Sequence, residues 1–207
     1  SREVIVPSFT FMATVHPLAW LGVTPVFVDI DSDTWCADPA RVEEAITPDT
    51  TGIVAVHNFG NPANIEALEA IAQRHGLKLI FDAAHGFGTL YQGKPVGCYG
   101  DAEVFSATPT KLLVAGEGGV VTTNNDALAE HIRAGREYGN DGNYGSNFAG
   151  LNARMPEFNA ILGIKSLELL EENAEKRNQV AELFCEQLGP LPGLTFQTIL
   201  PGNRCSY

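Results

Sequence analysis

Apolar positions along the chain fall into two patterns. Short unbroken runs predict buried strands, and recurrence every three or four positions predicts amphipathic helices. Strand-like runs lie at residues 4–6, 25–29, 52–57, 78–82, 102–106 and 119–123. Residues 10–21 carry helical spacing, with Ser8 or Thr10 as the N-cap. Asp38-Pro39 opens a second helix, a capping carboxylate followed by proline in the first turn, which ends near Ile46 before Pro48. Residues 64–75 place Ile65, Leu68, Ile71 and Ala72 on one face and stop at Gly76. Asn125-Asp126 opens a helix to about Tyr138, and a long helix runs from Pro156 to about Leu188 with a bend expected near Gly163. Strands alternating with helices imply crossover connections. The predicted fold class is α/β, a three-layer α/β/α arrangement around a mostly parallel sheet. Residues 139–152, rich in glycine and asparagine, read as a long polar loop, a kind that is usually functional or mobile.

Composition narrows the function classes. The chain has 207 residues, of which 44% are hydrophobic, so it can bury a core. Charged residues make up 18%, below the usual value of about 25%, as expected for strands covered on both faces. A net charge of −12 argues against nucleic-acid binding, which needs a basic footprint. No run approaches the ~20 apolar residues of a membrane span. The most apolar stretch, residues 15–28, is interrupted by His16, Pro17 and Pro25. No secretory leader is visible. Cys36, Cys98, Cys185 and Cys205 match no zinc spacing and read as scattered reduced thiols of a cytoplasmic protein. The abrupt opening at Ser1-Arg2-Glu3 and the uncapped close at Tyr207 suggest a piece of something longer.

Ligands of open α/β sheets bind beyond the carboxyl ends of the strands. The residues there are chemically rich: Ser8 to Phe11, His57 to Asn61, Asp82 to His85, and Ser106 to Lys111. Asp82 ends an apolar strand, where it could pair with a cationic ring nitrogen or cap the next turn. Lys111 could be a solvated surface amine or, in an apolar pocket, a nucleophile of depressed pKa able to form a Schiff base. Ser106 and Thr108 could hold phosphate oxygens or cap their turn. Phe11 could stack on a flat ring or join the core. His57 and His85 could contact a ligand or be ordinary satisfied histidines. Gly116-Glu117-Gly118-Gly119 precedes a strand rather than opening a helix, so it reads as a tight turn against the Lys111 segment.

A carboxylate for a pyridinium nitrogen, an amine for an imine, hydroxyls for a phosphate and an aromatic ring for stacking form the requirement set of pyridoxal 5′-phosphate. The ordered motifs carry a resemblance. Val4-Ile5-Val6-Pro7-Ser8-Phe9-Thr10-Phe11, Gly22 to Asp29, Asp82-Ala83-Ala84-His85-Gly86, Ser106 to Lys111 with Gly116 to Gly119, and Gly150-Leu151-Asn152-Ala153-Arg154-Met155 together resemble the DegT/DnrJ/StrS sugar aminotransferases. Those are fold-type-I pyridoxal-phosphate enzymes.

The resemblance implies that Lys111 is the Schiff-base lysine and proton shuttle, and that Asp82 keeps the pyridine nitrogen protonated. It implies that Phe11 stacks on the cofactor, His85 sits near its phenolic oxygen and Ser106 binds its phosphate. Asn152 would reach the phosphate from a neighbouring subunit, so that a homodimer shares its active sites. The implied activity moves an amino group, commonly from glutamate, to a keto group of a nucleotide-linked sugar. By the same resemblance residues 1–155 are the cofactor-binding large domain, and residues 156–207 are a long helix and the start of a small C-terminal domain. The family also has a leading segment with a Gly-Thr turn for the phosphate, and often Phe-His where Ala107-Thr108 stand here. The alternatives are a non-catalytic regulatory or sensor relative with the same fold, against which Lys111 and Asp82 both count, or an inactive fragment. A sugar dehydratase would carry histidine in place of Lys111.

Overall fold

A computed structural model of the chain describes residues 2–140, 142 and 145–207. Ser1 and part of the 139–152 loop therefore lie outside the described residues.

Six strands form the main sheet: β1 (Glu3–Pro7), β2 (Thr24–Val28), β3 (Thr50–Val56), β4 (Lys78–Asp82), β7 (Ala102–Ser106) and β8 (Gly119–Thr122), in the order β2-β1-β3-β4-β7-β8. The first five run parallel, and β8 returns antiparallel to β7. A small hairpin of β5 (Leu90–Tyr91) and β6 (Lys94–Pro95) stands apart. It is too short to leave a periodic signal and was not expected. The helices are α1 (His16–Trp20), α2 (Pro39–Glu44), α3 (Ile65–His75), α4 (Asp126–Gly135), α5 (Glu157–Glu168) and α6 (Leu170–Leu188).

Side chains alternate across a strand, and the register puts Ile5, Ile53, Leu79, Phe81 and Phe105 on one face. These join Val42 of α2 and Ile65, Leu68 and Ile71 of α3 in one core. The opposite face is more open: Ile80, Val104 and Val121 remain 37%, 41% and 41% exposed. Coverage of the strands is thus uneven, which charge fraction alone does not reveal. Asp82 and Ser106 belong by alternation to this second face, at the carboxyl ends of β4 and β7.

Local signals explain most boundaries. The Asp38 side chain accepts from Ala40 N, with Pro39 in the first turn of α2. The Asn64 carbonyl oxygen accepts from Ala67 N, and Gly76 closes α3 in the left-handed conformation. Three expectations shift. Residues 10–21 do not form one helix. Phe11 is extended, Met12–Thr14 form a 3-10 turn, and α1 restarts with Pro17 in its first turn, where a missing N–H costs least. Residues beyond Gly135 leave α4, and Tyr138 is left-handed. The long helix breaks at Leu169, with φ −103° and ψ 6°, not at Gly163. Gly163 stays helical beside Ala115, where a Cβ would sit 3.5 Å from the alanine methyl.

Candidate active site

The site is built on loops that leave the carboxyl ends of β1, β3, β4 and β7. Asp82 is held from two sides: its Oδ2 accepts a 2.7 Å hydrogen bond from the Thr14 hydroxyl, and its Oδ1 accepts from Ala84 N at 3.0 Å. Thr14 is buried and its hydroxyl also meets that of Thr10 at 2.7 Å. This relay explains the 3-10 turn. The backbone after Phe11 tightens so that two hydroxyls four residues apart line up on the carboxylate. Thr14 was missed by sequence reasoning, where a threonine in a predicted helix face carries no signal of its target. Each carboxylate oxygen keeps acceptor capacity for a cationic donor.

Lys111 sits in the loop between β7 and β8. Its N–H donates to Thr108 O, and buried Leu112 and Leu113 follow it. The loop is braced from outside. Val114 N donates to Ser166 Oγ of α5 at 2.9 Å. Arg177 of α6 donates to the carbonyls of Thr110 and Lys111, both at 3.2 Å, and to that of Tyr207. Arg177 was also missed, since it lies in a charge-rich helix that reads as a solvated face. The expected tight turn is present: Gly116 and Gly118 have φ +78° and +129°, and Ala107 N donates to Gly118 O. At Gly119 a Cβ would stand 2.6 Å from Phe105 O, so only glycine allows this approach.

Lys111 opens onto a cavity of about 340 Å³ shared with Phe59, His85, Phe87, Arg177 and Tyr207. Among the described residues, none forms an ion pair with the Lys111 ammonium. Desolvation pushes its pKa below the ordinary lysine value, against the supporting charge of Asp82. His85 is lowered too, first by desolvation and then by the charge of Lys111, with Asp82 opposing and Arg177 adding a little. An amine of lowered pKa near a fixed carboxylate has the chemistry of a nucleophile and of a proton carrier.

The other expected residues divide. Ser106 is half-buried beside this loop, with Thr108 N and Oγ1 both within 3.4 Å of its hydroxyl. Phe11 is 72% exposed at the end of β1. It immediately precedes the Met12–Thr14 turn that holds Asp82, and at this exposure it is not part of the core. Asn152 is exposed and lies apart from the cavity. It bridges Glu137 at the neck of the 139–152 loop, where Leu151 N and Ala153 N donate to Gly135 O and Arg136 O. His57 belongs to the core. It is fully buried on the α2–α3 face, stacks on Phe81 at 4.9 Å, accepts from Ala63 N through Nδ1, and points Nε2 at Glu103 Oε2, 3.4 Å away. No group of three metal-ligating side chains occurs among the described residues. The donor set (amine, carboxylate, hydroxyl, open aromatic ring) fits pyridoxal phosphate.

A profile of the DegT/DnrJ/EryC1/StrS aminotransferase family matches residues 1–206. The chain belongs to this family. Among its relatives, the erythromycin biosynthesis sensory transduction protein EryC1 of Saccharopolyspora erythraea is 43% identical over 96% of the chain and 55% of that protein. The L-glutamine:2-deoxy-scyllo-inosose aminotransferase of Micromonospora echinospora is 42% identical over 97% of the chain and 50% of that protein. The structure of DesI with its TDP-sugar product superposes with a TM-score of 0.89 at 44% identity, over 100% of this chain and 53% of that one. The chain thus spans about half the length of the relatives it matches. Family membership carries the α/β class and implies pyridoxal phosphate as cofactor. Among the described residues, no helix is long and apolar enough to cross a membrane.

Proposed function

We propose that the whole protein is a pyridoxal-phosphate-dependent aminotransferase that delivers an amino group to the keto carbon of a nucleotide-linked sugar. The observation that carries this reading is the juxtaposition of a desolvated Lys111, with no ion pair among the described residues, and an Asp82 carboxylate held by Thr14 and Ala84. When bound, the cofactor supplies an electron sink conjugated to the carbon that loses its proton. Lys111 Nζ would hold the cofactor and would carry that proton. Asp82 holds a proton on the ring nitrogen through a charge-assisted hydrogen bond. Phe11 would cover one face of the bound ring, His85 would lie near its edge, and Ser106 would offer a hydroxyl to the phosphate. The shape of the second face of the sheet supports residues 1–155 as the cofactor-binding half. Residues 156–207 brace it through Ser166 and Arg177 and begin the remainder.

The separation of Asn152 from the Lys111 cavity supports a homodimer in which Asn152 serves the partner's site. The amino donor is glutamate on this reading, with glutamine the alternative suggested by the inosose aminotransferase. A cytoplasmic location fits the four free thiols. The name of the EryC1 relative keeps a regulatory role as the second reading.

The deciding experiment adds pyridoxal phosphate to the whole protein, fixes it with borohydride and maps the modified residue. Keto sugars linked to dTDP, UDP or GDP are then supplied with glutamate or glutamine. Modification at Lys111 and amination of at least one sugar are expected, both lost in Lys111→Ala. Cofactor fixed elsewhere, or a wild-type protein that binds the sugars without aminating any, refutes the reading in favour of the regulatory one.

A further inference from the structure

Trp35 at φ +57° and Phe59 at φ +56° occupy the left-handed backbone region, as do Tyr138 and Tyr207 elsewhere in the chain. Aromatic residues pay backbone strain there, and such strain persists where surrounding structure over-determines it, often at binding sites. Here the two strained turns are locked to each other. Asn58 Nδ2 donates to Trp35 O at 3.0 Å, and Gln197 Nε2 donates to both Thr34 O and Asn58 O. Asn61 Nδ2 donates to Thr34 O, and Cys205 Sγ to Phe59 O. The rings follow. Phe9, Trp35 and Phe59 contact one another at centroid distances of 6.1–6.5 Å, and Phe59 continues to His85 at 6.1 Å. The cluster is not a core, because Phe9 and Phe59 are 46% and 43% exposed. Phe59 forms part of the wall of the cavity that holds Lys111.

We propose that Phe59, backed by Phe9 and Trp35, is the aromatic platform on which the sugar ring of the substrate lies. This rests on the aminotransferase reading above and deepens it. A pyranose has one face of C–H bonds with partial positive charge, which matches the negative face of an aromatic ring. The group that shares a cavity with the Lys111 amine must be the part that reacts, which is the sugar rather than the nucleoside. A strained turn sets the ring angle where a relaxed one would let it swing, so Phe59 acts as a specificity-determining residue.

The test uses Phe59→Asn and Phe59→Tyr in the whole protein loaded with cofactor. Asparagine favours the left-handed region and removes the ring, while tyrosine keeps the ring. Phe59→Asn should melt at the wild-type temperature or higher. Its KM for the keto-sugar nucleotide should rise about 10-fold, a larger loss than that of the amino-donor half-reaction, and Phe59→Tyr should stay near wild type. Inhibition by the free nucleoside diphosphate should not weaken in parallel. A lower melting temperature with both half-reactions falling equally would mean that the ring is structural. Equal weakening of the free nucleoside diphosphate would move the ring beneath the base. Either result overturns the proposal, as does an unchanged KM in Phe59→Asn. If the wild-type protein aminates no keto sugar, the underlying reading fails and takes this one with it. Wild-type amination with an indifferent Phe59→Asn overturns this one alone.

Discussion

Glu103 and His57 face each other with no exposed surface, and their chemistry permits a sharp prediction. Glu103 Oε1 accepts from Gly97 N at 2.7 Å and from Tyr99 N at 2.9 Å. Its Oε2 faces His57 Nε2 at 3.4 Å, and neither atom has a hydrogen-bond partner among the described residues. Because His57 Nδ1 accepts from Ala63 N, the ring proton of a neutral His57 must sit on Nε2, facing the carboxylate. Glu103→Gln keeps the shape but breaks this logic. The amide oxygen is needed by two backbone N–H groups, so the amide nitrogen must face Nε2–H, donor against donor. The imidazole cannot escape by switching tautomer, since that would set Nδ1–H against Ala63 N–H. Two buried donors thus face each other with no acceptor, at about 1–3 kcal/mol each, for a total of about 2–6 kcal/mol.

Urea unfolding followed by circular dichroism reads this directly as a lower midpoint at unchanged slope. Pairing Glu103→Gln with His57→Phe, which retains the stack on Phe81, should recover about 1 kcal/mol or more as coupling. A Glu103→Gln protein within about 0.5 kcal/mol of wild type, a size usual for surface changes, would refute the assigned tautomer and the buried pairing together.

Thr14→Val removes the donor to Asp82 Oδ2 at nearly constant volume. It should cost about 1.5–3 kcal/mol, the usual worth of a hydrogen bond to a charged group, with Thr14→Ser recovering most of it in the same unfolding assay. Lys111→Met should stabilise the chain near neutral pH, by less than about 1 kcal/mol after solvent screening. The sign follows from the lowered Lys111 pKa: the unfolded chain holds more protons just below the ordinary lysine range. Wild-type stability therefore rises with pH through that window, and the advantage of the variant shrinks there. Thermal melts at several pH values measure this, and a Lys111→Met protein less stable at neutral pH would contradict it. Alkylation followed by mass spectrometry should label exposed Cys98 and Cys185 first. Cys36 and Cys205 should stay unmodified until unfolding, since burial raises their pKa to about 12 and about 11.

The α/β class and nearly every strand were legible in the sequence, because unbroken apolar runs and capping residues such as Asp38, Asn64 and Gly76 act locally. The misplaced features depend on contacts from elsewhere. Residues 10–21 have helical spacing, yet the pull of Asp82 on Thr14 turns their first half into a 3-10 turn. Gly163 looks like a hinge by composition, but its packing against Ala115 keeps it helical and the break falls at Leu169. His57 and His85 were equivalent as letters. The pleat sends His57 to the dry core and leaves His85 at the cavity that holds Lys111.

The sequence by itself determined the order of strands and helices, and it placed Asp82 and Ser106 at strand ends and Lys111 in the loop that follows, because hydrophobic periodicity and motif order are one-dimensional properties. Only the tertiary structure decided which groups surround them. The hydroxyl on Asp82 comes from 68 residues away, the clamp on the Lys111 carbonyl from 66, and the ring beside the amine from a strained turn after β3. Such partners are set by strand register and helix docking, and no local pattern encodes them.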